Sequence, residues 1–231
     1  MMQQLVLDVG LPTEPTLANF FAGPNAAVLQ HLQTWLGPAD SPGRVVRSPL
    51  PTYLWGGGGC GKTHLLRAVQ GALQRRGEST GWLDARSASV PEFDPGWSML
   101  LMDDVHALDS VQQQTAFAWF INAQTHQLPV LAAGHLPPAD LALRDDLRSR
   151  LGWGHVFALQ WLDEAARRSV LRVSAQARGL VLSDEVLDYV LARFSRDLGS
   201  LIELLDLLDH YALQTRRAIT IALIKTMMNQ A

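Results

Sequence analysis

Cysteine is all but missing: Cys60 is the only one in 231 residues. That excludes an intramolecular disulfide and a zinc site built on paired cysteines. An excess of positive charge is missing too. Lysine and arginine total 19 against 22 acidic residues, a net charge of −3, so no global field draws the molecule to nucleic acid. No apolar run approaches the roughly 18–20 residues of a membrane span. The first residues lack the basic, apolar and small-residue succession of a secretory signal. The expectation is a cytoplasmic protein without a membrane partner. Seven tryptophans are scattered and not interleaved with basic residues, which disfavours a base-stacking platform and reads as core or interface packing. Seven histidines, among them His64, His106 and His135, show no close metal-ligand spacing and read as structural or surface groups.

What is present is an alternation of short apolar runs with helical spacing. Residues 1–15 hold Gln4-Leu5-Val6-Leu7-Asp8-Val9 and then Pro12 and Pro15, an extended tail. A turn at Gly23-Pro24-Asn25 precedes a helix through Trp35-Leu36, and 37–51 reads as a Pro/Gly/Ser loop. Strands are expected at Tyr53–Trp55, Thr80–Leu83, Ser98–Met102, Pro129–Ala133 and His155–Leu159. Helices are expected between them at His64–Arg76, Gln112–His126 and Ala142–Leu151. This order predicts an α/β fold with a mainly parallel five-stranded sheet covered by helices on both faces. After Gln160 the spacing is helical: Asp163–Arg178, Ser183–Phe194 and Asp197–Thr215, with Asp163, Ser183 and Asp197 as N-caps and Gly179 as a stop. Ala218–Ile221 reads as a short strand before a last helix, Ala222–Met228. The expected division is a tail over 1–15, a nucleotide-binding domain over 16–160 and a small helical lid over 161–231.

The strongest motif is Gly56-Gly57-Gly58-Gly59-Cys60-Gly61-Lys62-Thr63, a full G-x-x-x-x-G-K-[ST] between a predicted strand and a predicted helix. Glycines let backbone N–H groups turn inward around phosphates, and the helix N-terminus adds partial positive charge. Lys62 would reach the β- and γ-phosphates and the Thr63 hydroxyl would ligate Mg²⁺, with Gly56–Thr63 and His64 together the expected nucleotide-binding residues. The expected cofactors are ATP or ADP with Mg²⁺. Cys60 reads as a spacer, because the backbone does the phosphate work. A glycine-rich turn with an incidental lysine is the plainer alternative, disfavoured by the placement. Met99-Leu100-Leu101-Met102-Asp103-Asp104 is a buried strand ending in acid about forty residues further on. Asp103 would hold Mg²⁺ and Asp104 would orient or activate the attacking water. The competing reading is a strand ending in a solvated acidic turn. Arg148 and Arg150, in Leu147–Gly154, read on composition alone as surface arginines at a helix end.

These motifs and their order resemble the AAA+ proteins related to the bacterial replication initiator DnaA, and within that group the short regulatory Hda branch. Thr16–Asn25 resembles the F-x-x-F-x-x-G-x-N entry segment, Met99–Asp104 the acidic strand end, and Gly134-His135-Leu136-Pro137-Pro138 the first-sensor segment. Ser149–Gly154 resembles the arginine-finger box, with Arg150 in the finger position. The resemblance covers nearly the whole chain, which ends after the lid without DnaA's helix-turn-helix domain. It implies a P-loop AAA+ core with a helical lid. It also implies a role as negative regulator of replication initiation, stimulating hydrolysis of DnaA-bound ATP by Arg150 supplied in trans. Gln4-Leu5-Val6-Leu7-Asp8-Val9 resembles the Q-L-x-L-x-Φ peptide that binds the sliding clamp, the β subunit of DNA polymerase III. Gln4, Leu5, Leu7 and Val9 would be the clamp-binding residues. By pattern alone the same stretch is equally a first strand or a frayed terminus. The implied partners are DnaA, the clamp and, through it, DNA, with a homo-oligomer left open.

Two departures bear on catalysis. The family's second-sensor arginine aligns with Gly199, with Arg196 three residues before it, and His135 replaces the usual acid at the first sensor. Both imply weak intrinsic hydrolysis. A helicase-loader-like ATPase and a non-catalytic nucleotide-bound scaffold for DnaA remain as alternatives.

Overall fold

The computed structural model describes residues 14–38, 47–87, 90–194, 198–215 and 218–228. Residues 15–162 and those from Asp163 onward form two compact units. The tail residues Gln4–Val9, together with Arg196 and the expected cap Asp197, lie outside the described residues.

The first unit is a five-stranded parallel sheet: β1 (Thr52–Trp55), β2 (Thr80–Leu83), β3 (Met99–Met102), β4 (Val130–Gly134) and β5 (His155–Ala158). Their order is β2-β3-β4-β1-β5, so the chain crosses over repeatedly through helices. Helices α1 (Ala26–Leu36), α2 (Lys62–Gln74), α3 (Ser110–Thr125) and α4 (Asp145–Leu151) supply the cover.

Alternation along the strands sorts the core into two layers. Tyr53, Leu100, Met102, Val130 and Ala132 pack with Trp119, Phe120 and Leu147 of α3 and α4. Leu54, Met99, Leu101, Leu131 and Ala133 pack with Leu32 of α1 and Leu65, Leu66 and Val69 of α2. β3 is buried at every residue, as a strand covered on both faces must be. β5 differs from that expectation. It is the sheet edge, and three of its four residues are exposed.

Helix limits follow local capping. α3 starts two residues before the expected Gln112, because Asp109 accepts hydrogen bonds from the N–H groups of Val111 and Gln112 while its own N–H donates to Gln112 Oε1. α4 starts later than Ala142. Leu141 and Leu143 are buried from a non-helical stretch, and the Arg144 N–H donates to Gln113 of α3.

The second unit holds α5 (Glu164–Ala177), α6 (Asp184–Arg193), α7 (Leu198–Thr215) and α8 (Ile221–Met228). Leu171, Leu187, Val190, Leu201, Leu205, Leu208 and Ile224 form its apolar centre. Asp163 and Ser183 cap α5 and α6 as expected, and Gly179 takes a left-handed φ of 74° after α5. The strand expected at Ala218–Ile221 is absent. Residues 218–220 are irregular, and the Thr220 hydroxyl accepts the Leu223 N–H at 3.2 Å, opening α8 one residue before the expected Ala222. A β-branched run without a partner strand serves here as a helix cap.

The Arg47 guanidinium, almost wholly buried in the first unit, grips Glu78 through two bonds of 2.7 and 2.8 Å. That contact holds the Glu78 carboxyl below its ordinary range. Glu78→Ala leaves a buried cation unpaired and is expected to cost about 3–5 kcal/mol, read by urea denaturation. The wild-type contribution should be full above the ordinary carboxylate range and vanish as pH falls through the depressed value, a loss the variant should not show.

Candidate functional site

The loop Gly56–Gly61 leaves β1 and turns directly into α2. Gly61 holds φ at 97°, and a Cβ there would sit 2.7 Å from the Phe20 ring, so glycine is needed for both backbone and space. On the other side, a Cβ at Gly57 would meet the Trp161 ring at 2.3 Å, and the Trp161 indole N–H donates to the Gly58 carbonyl at 2.8 Å. Gly58, at the loop tip, has open space around it. Phe20 and Trp161 therefore brace the loop from its two flanks. Neither is visible as a site residue in the sequence. Trp161 was expected among core or interface residues, yet it is 59% exposed.

Lys62 is buried, and its ammonium donates to the carbonyls of Gly56 and Gly57 at 2.8 and 2.9 Å, with Cys60 Sγ at 3.7 Å. The cation thus sits inside the ring of loop backbone, where a polyphosphate would compete for its protons. Cys60 faces inward and is buried, in keeping with its reading as a spacer. Gly59 takes a positive φ of 75° within the same loop. His64 meets the entry segment. Its Nε2 lies 3.1 Å from the Thr16 carbonyl and its ring packs near Phe20, with burial holding its pKa below the ordinary value. The imidazole ties the entry segment to α2.

The acidic strand end comes to the loop directly. The Thr63 hydroxyl donates to Asp103 Oδ2 at 2.6 Å, and the Asp104 N–H donates to Asp103 Oδ1 at 3.0 Å. Burial, the largest influence, raises the Asp103 pKa, opposed by the Thr63 hydrogen bond. Two hard oxygen donors in contact, beside an inward cation and a cradle of glycine backbone, suit Mg²⁺ carried by a polyphosphate. Asp104 is left-handed at φ 46°, half-buried, with the exposed Arg86 guanidinium 3.8 Å away.

His135, just beyond β4, is exposed, and its ring stacks on His106 with centroids 3.8 Å apart. Asp104, His106 and His135 each offer a ligand atom within 4.8 Å of the others. Sequence spacing hid this cluster, since β4 delivers His135 from 29 positions away. The other first-sensor element, Gly134, admits Tyr53, whose hydroxyl donates to the Leu136 carbonyl at 2.8 Å; a Cβ at Gly134 would lie 2.2 Å from that hydroxyl.

Arg150 stands elsewhere. It lies on α4, donates to Gln124 Oε1 at 2.6 Å, and sits over the rings of Phe117 and Trp153. Its neighbours around a 180 Å³ cavity include Pro49–Pro51 before β1 and Leu128 before β4, at the end of the strands where the chain enters the sheet. The phosphate loop leaves β1 at the other end. Gly199, expected from the sequence at the second-sensor position, lies in the first turn of α7.

The family described as the Hda lid domain matches residues 163–228. Among solved structures, domain III of the replication initiation protein DnaA from Thermotoga maritima is 24% identical. It superposes with a TM-score of 0.73, covering 94% of this chain and 96% of that one. AMPPCP-bound DnaA from Aquifex aeolicus is 25% identical with a TM-score of 0.64, covering 85% of this chain and 64% of that one. The Holliday junction branch migration motor RuvB of Thermotoga maritima is 18% identical with a TM-score of 0.62, covering 89% and 68%. The first unit thus has the AAA+ fold. Among the described residues no helix is long and apolar enough to cross a membrane.

Ionised Asp103 is a burden on the folded chain unless a cation neutralises it. Its raised pKa means that stability is lost as pH climbs from the ordinary carboxylate range through the raised value. Asp103→Asn should therefore keep or raise the melting temperature of the nucleotide-free protein at neutral pH. The same variant should lose the Mg²⁺-dependent part of nucleotide affinity in a fluorescent-ADP titration. Lys62→Ala should weaken binding with or without Mg²⁺.

Proposed function

Starting from what core and lid together make this chain, a DnaA/Hda-related AAA+ protein, we propose that it restrains bacterial replication initiation by driving hydrolysis of DnaA-bound ATP. In this reading it holds ATP or ADP with Mg²⁺ at its own loop through Gly56–Thr63, with Asp103 as the second metal-holding group. Asp104, beside it, is the proposed acid to orient or activate the attacking water. Weak turnover at this loop follows from the imidazole at position 135 and from Gly199, neither of which supplies a fixed charge to a γ-phosphate.

The observation that carries the proposal is the position of Arg150. It sits at the entry end of the strands, while its own phosphate loop lies at the exit end, about four residues or ~13 Å of strand away. An arginine there serves a nucleotide only on a neighbouring molecule. Gln124, Phe117 and Trp153 already orient its guanidinium, so little side-chain freedom is lost on docking. A planar cation delivered to another molecule's γ-phosphate stabilises the charge that develops there, an effect worth ~10³–10⁵ in rate.

Gln4, Leu5, Leu7 and Val9 are the proposed contact to the DNA-loaded sliding clamp, an extended peptide placing alternate apolar side chains into surface pockets. Tethering on the clamp raises the local concentration of Arg150 near DnaA without demanding a tight direct contact.

In a reconstituted assay of DnaA-bound ATP turnover, Arg150→Ala should abolish the stimulation while nucleotide and clamp binding persist; unchanged stimulation refutes the finger. Leu5→Ala with Leu7→Ala should eliminate clamp pull-down and leave nucleotide binding intact. Retained pull-down refutes the peptide assignment.

A further inference from the structure

We propose that Asp104, His106 and His135 form a binding site for a transition-metal ion of the zinc class, separate from the Mg²⁺ position at Thr63 and Asp103. The three side chains come from three places. Asp104 follows β3, His106 lies in the 3-10 turn Val105–Ala107, and His135 follows β4, the strand paired with β3. Parallel pairing brings both strand exits to one end of the sheet and sets two imidazoles face to face beside a carboxylate.

Three features favour a metal over chance proximity. The donor set is two nitrogens and one carboxylate oxygen, which suits zinc and its neighbours in the first transition row and ill suits Mg²⁺. The ligand atoms lie within 4.8 Å of one another. Bonds of about 2.0–2.1 Å to a tetrahedral ion would bring them to roughly 3.3 Å, a closure of at most about 1.5 Å that the exposed His135 has room to make. Finally, Nδ1 of His106 is buried without a hydrogen-bond partner among the described residues, and a buried ring nitrogen in that condition marks a place for a ligand or water. The competing partner of Asp104 is Arg86, 3.8 Å away and 89% exposed at its side chain, an ion pair too weakly held to exclude a divalent ion.

The three side chains leave a fourth position for water. A metal there would engage the Asp104 carboxylate and withdraw it from any water at the neighbouring phosphate loop, so the ion would set how far Asp104 is free to act.

Titration of the tag-free full chain with Zn²⁺ by calorimetry, in excess Mg²⁺, tests the site, with Co²⁺ as a visible-absorption reporter of nitrogen ligation. The expected result is one ion per chain and a ligand-field band. His106→Ala and His135→Ala should each weaken affinity at least ~10-fold. His155→Ala, which alters the other close histidine pair, His31 and His155 at 4.5 Å, should leave it unchanged. Metal-free melting curves establish that each variant is folded; His135 is exposed, so its replacement by alanine leaves the core untouched. Absence of stoichiometric binding, wild-type affinity in His135→Ala, or loss of binding in His155→Ala would each overturn the proposal.

Discussion

The 2.6 Å hydrogen bond from the Thr63 hydroxyl to the Asp103 carboxylate is the contact on which the site depends. It joins the first turn of α2, which the loop after β1 feeds, to the end of β3; β1 and β3 are not neighbours, since β4 lies between them. For the two side chains to meet, all three strands must run parallel in fixed register. The registers Leu54 with Ala133 and Leu101 with Leu131 provide this. A slip of one residue between β3 and β4 would turn Met99 and Leu101 to the wrong layer and carry Asp103 away from the loop. Packing of the sheet and the meeting of Thr63 with Asp103 are therefore one constraint.

That constraint has a cost which the surroundings only partly offset. Asp103 and Lys62 are both nearly out of water. Lys62 is satisfied by loop carbonyls, and Asp103 by one hydroxyl and one backbone N–H. Burial still raises the Asp103 pKa, so the acid is poorly solvated until a cation arrives. Functional sites commonly retain such groups, because a pre-placed charge needs no reorganisation when its ligand binds. Phe20 and Trp161 brace the loop so that this charge stays in place.

Sheet polarity also separates two tasks. The exits of β1 and β3 gather the phosphate loop and its acids, while the entry end carries Arg150 among Gln124, Phe117 and Trp153. A side chain held that far from its own loop has geometry suited to a neighbour. The proposed regulatory role grows from this polarity, and so does the candidate metal cluster, since β4 brings His135 to the same exit end as Asp104 and His106.

Much of this was legible in the amino-acid order. A run of glycines ending in Lys62-Thr63 has few uses other than a phosphate cradle, and the unbroken apolar stretch Met99–Met102 announces a strand covered on both faces. Five strands and most helices were readable because their period is local. The same locality misled at Ala218–Ile221, where β-branched residues suggested a strand and only the missing partner strand shows otherwise. Sequence by itself determined the elements, the loop chemistry and the acid that answers it, because each is written in contiguous residues. Tertiary structure alone decided which distant residues meet: Trp161 on Gly57, His64 on Thr16, His135 on His106, and Arg150 at the far end of the strands. Such meetings depend on strand order and register, and neither is encoded in any short stretch of chain.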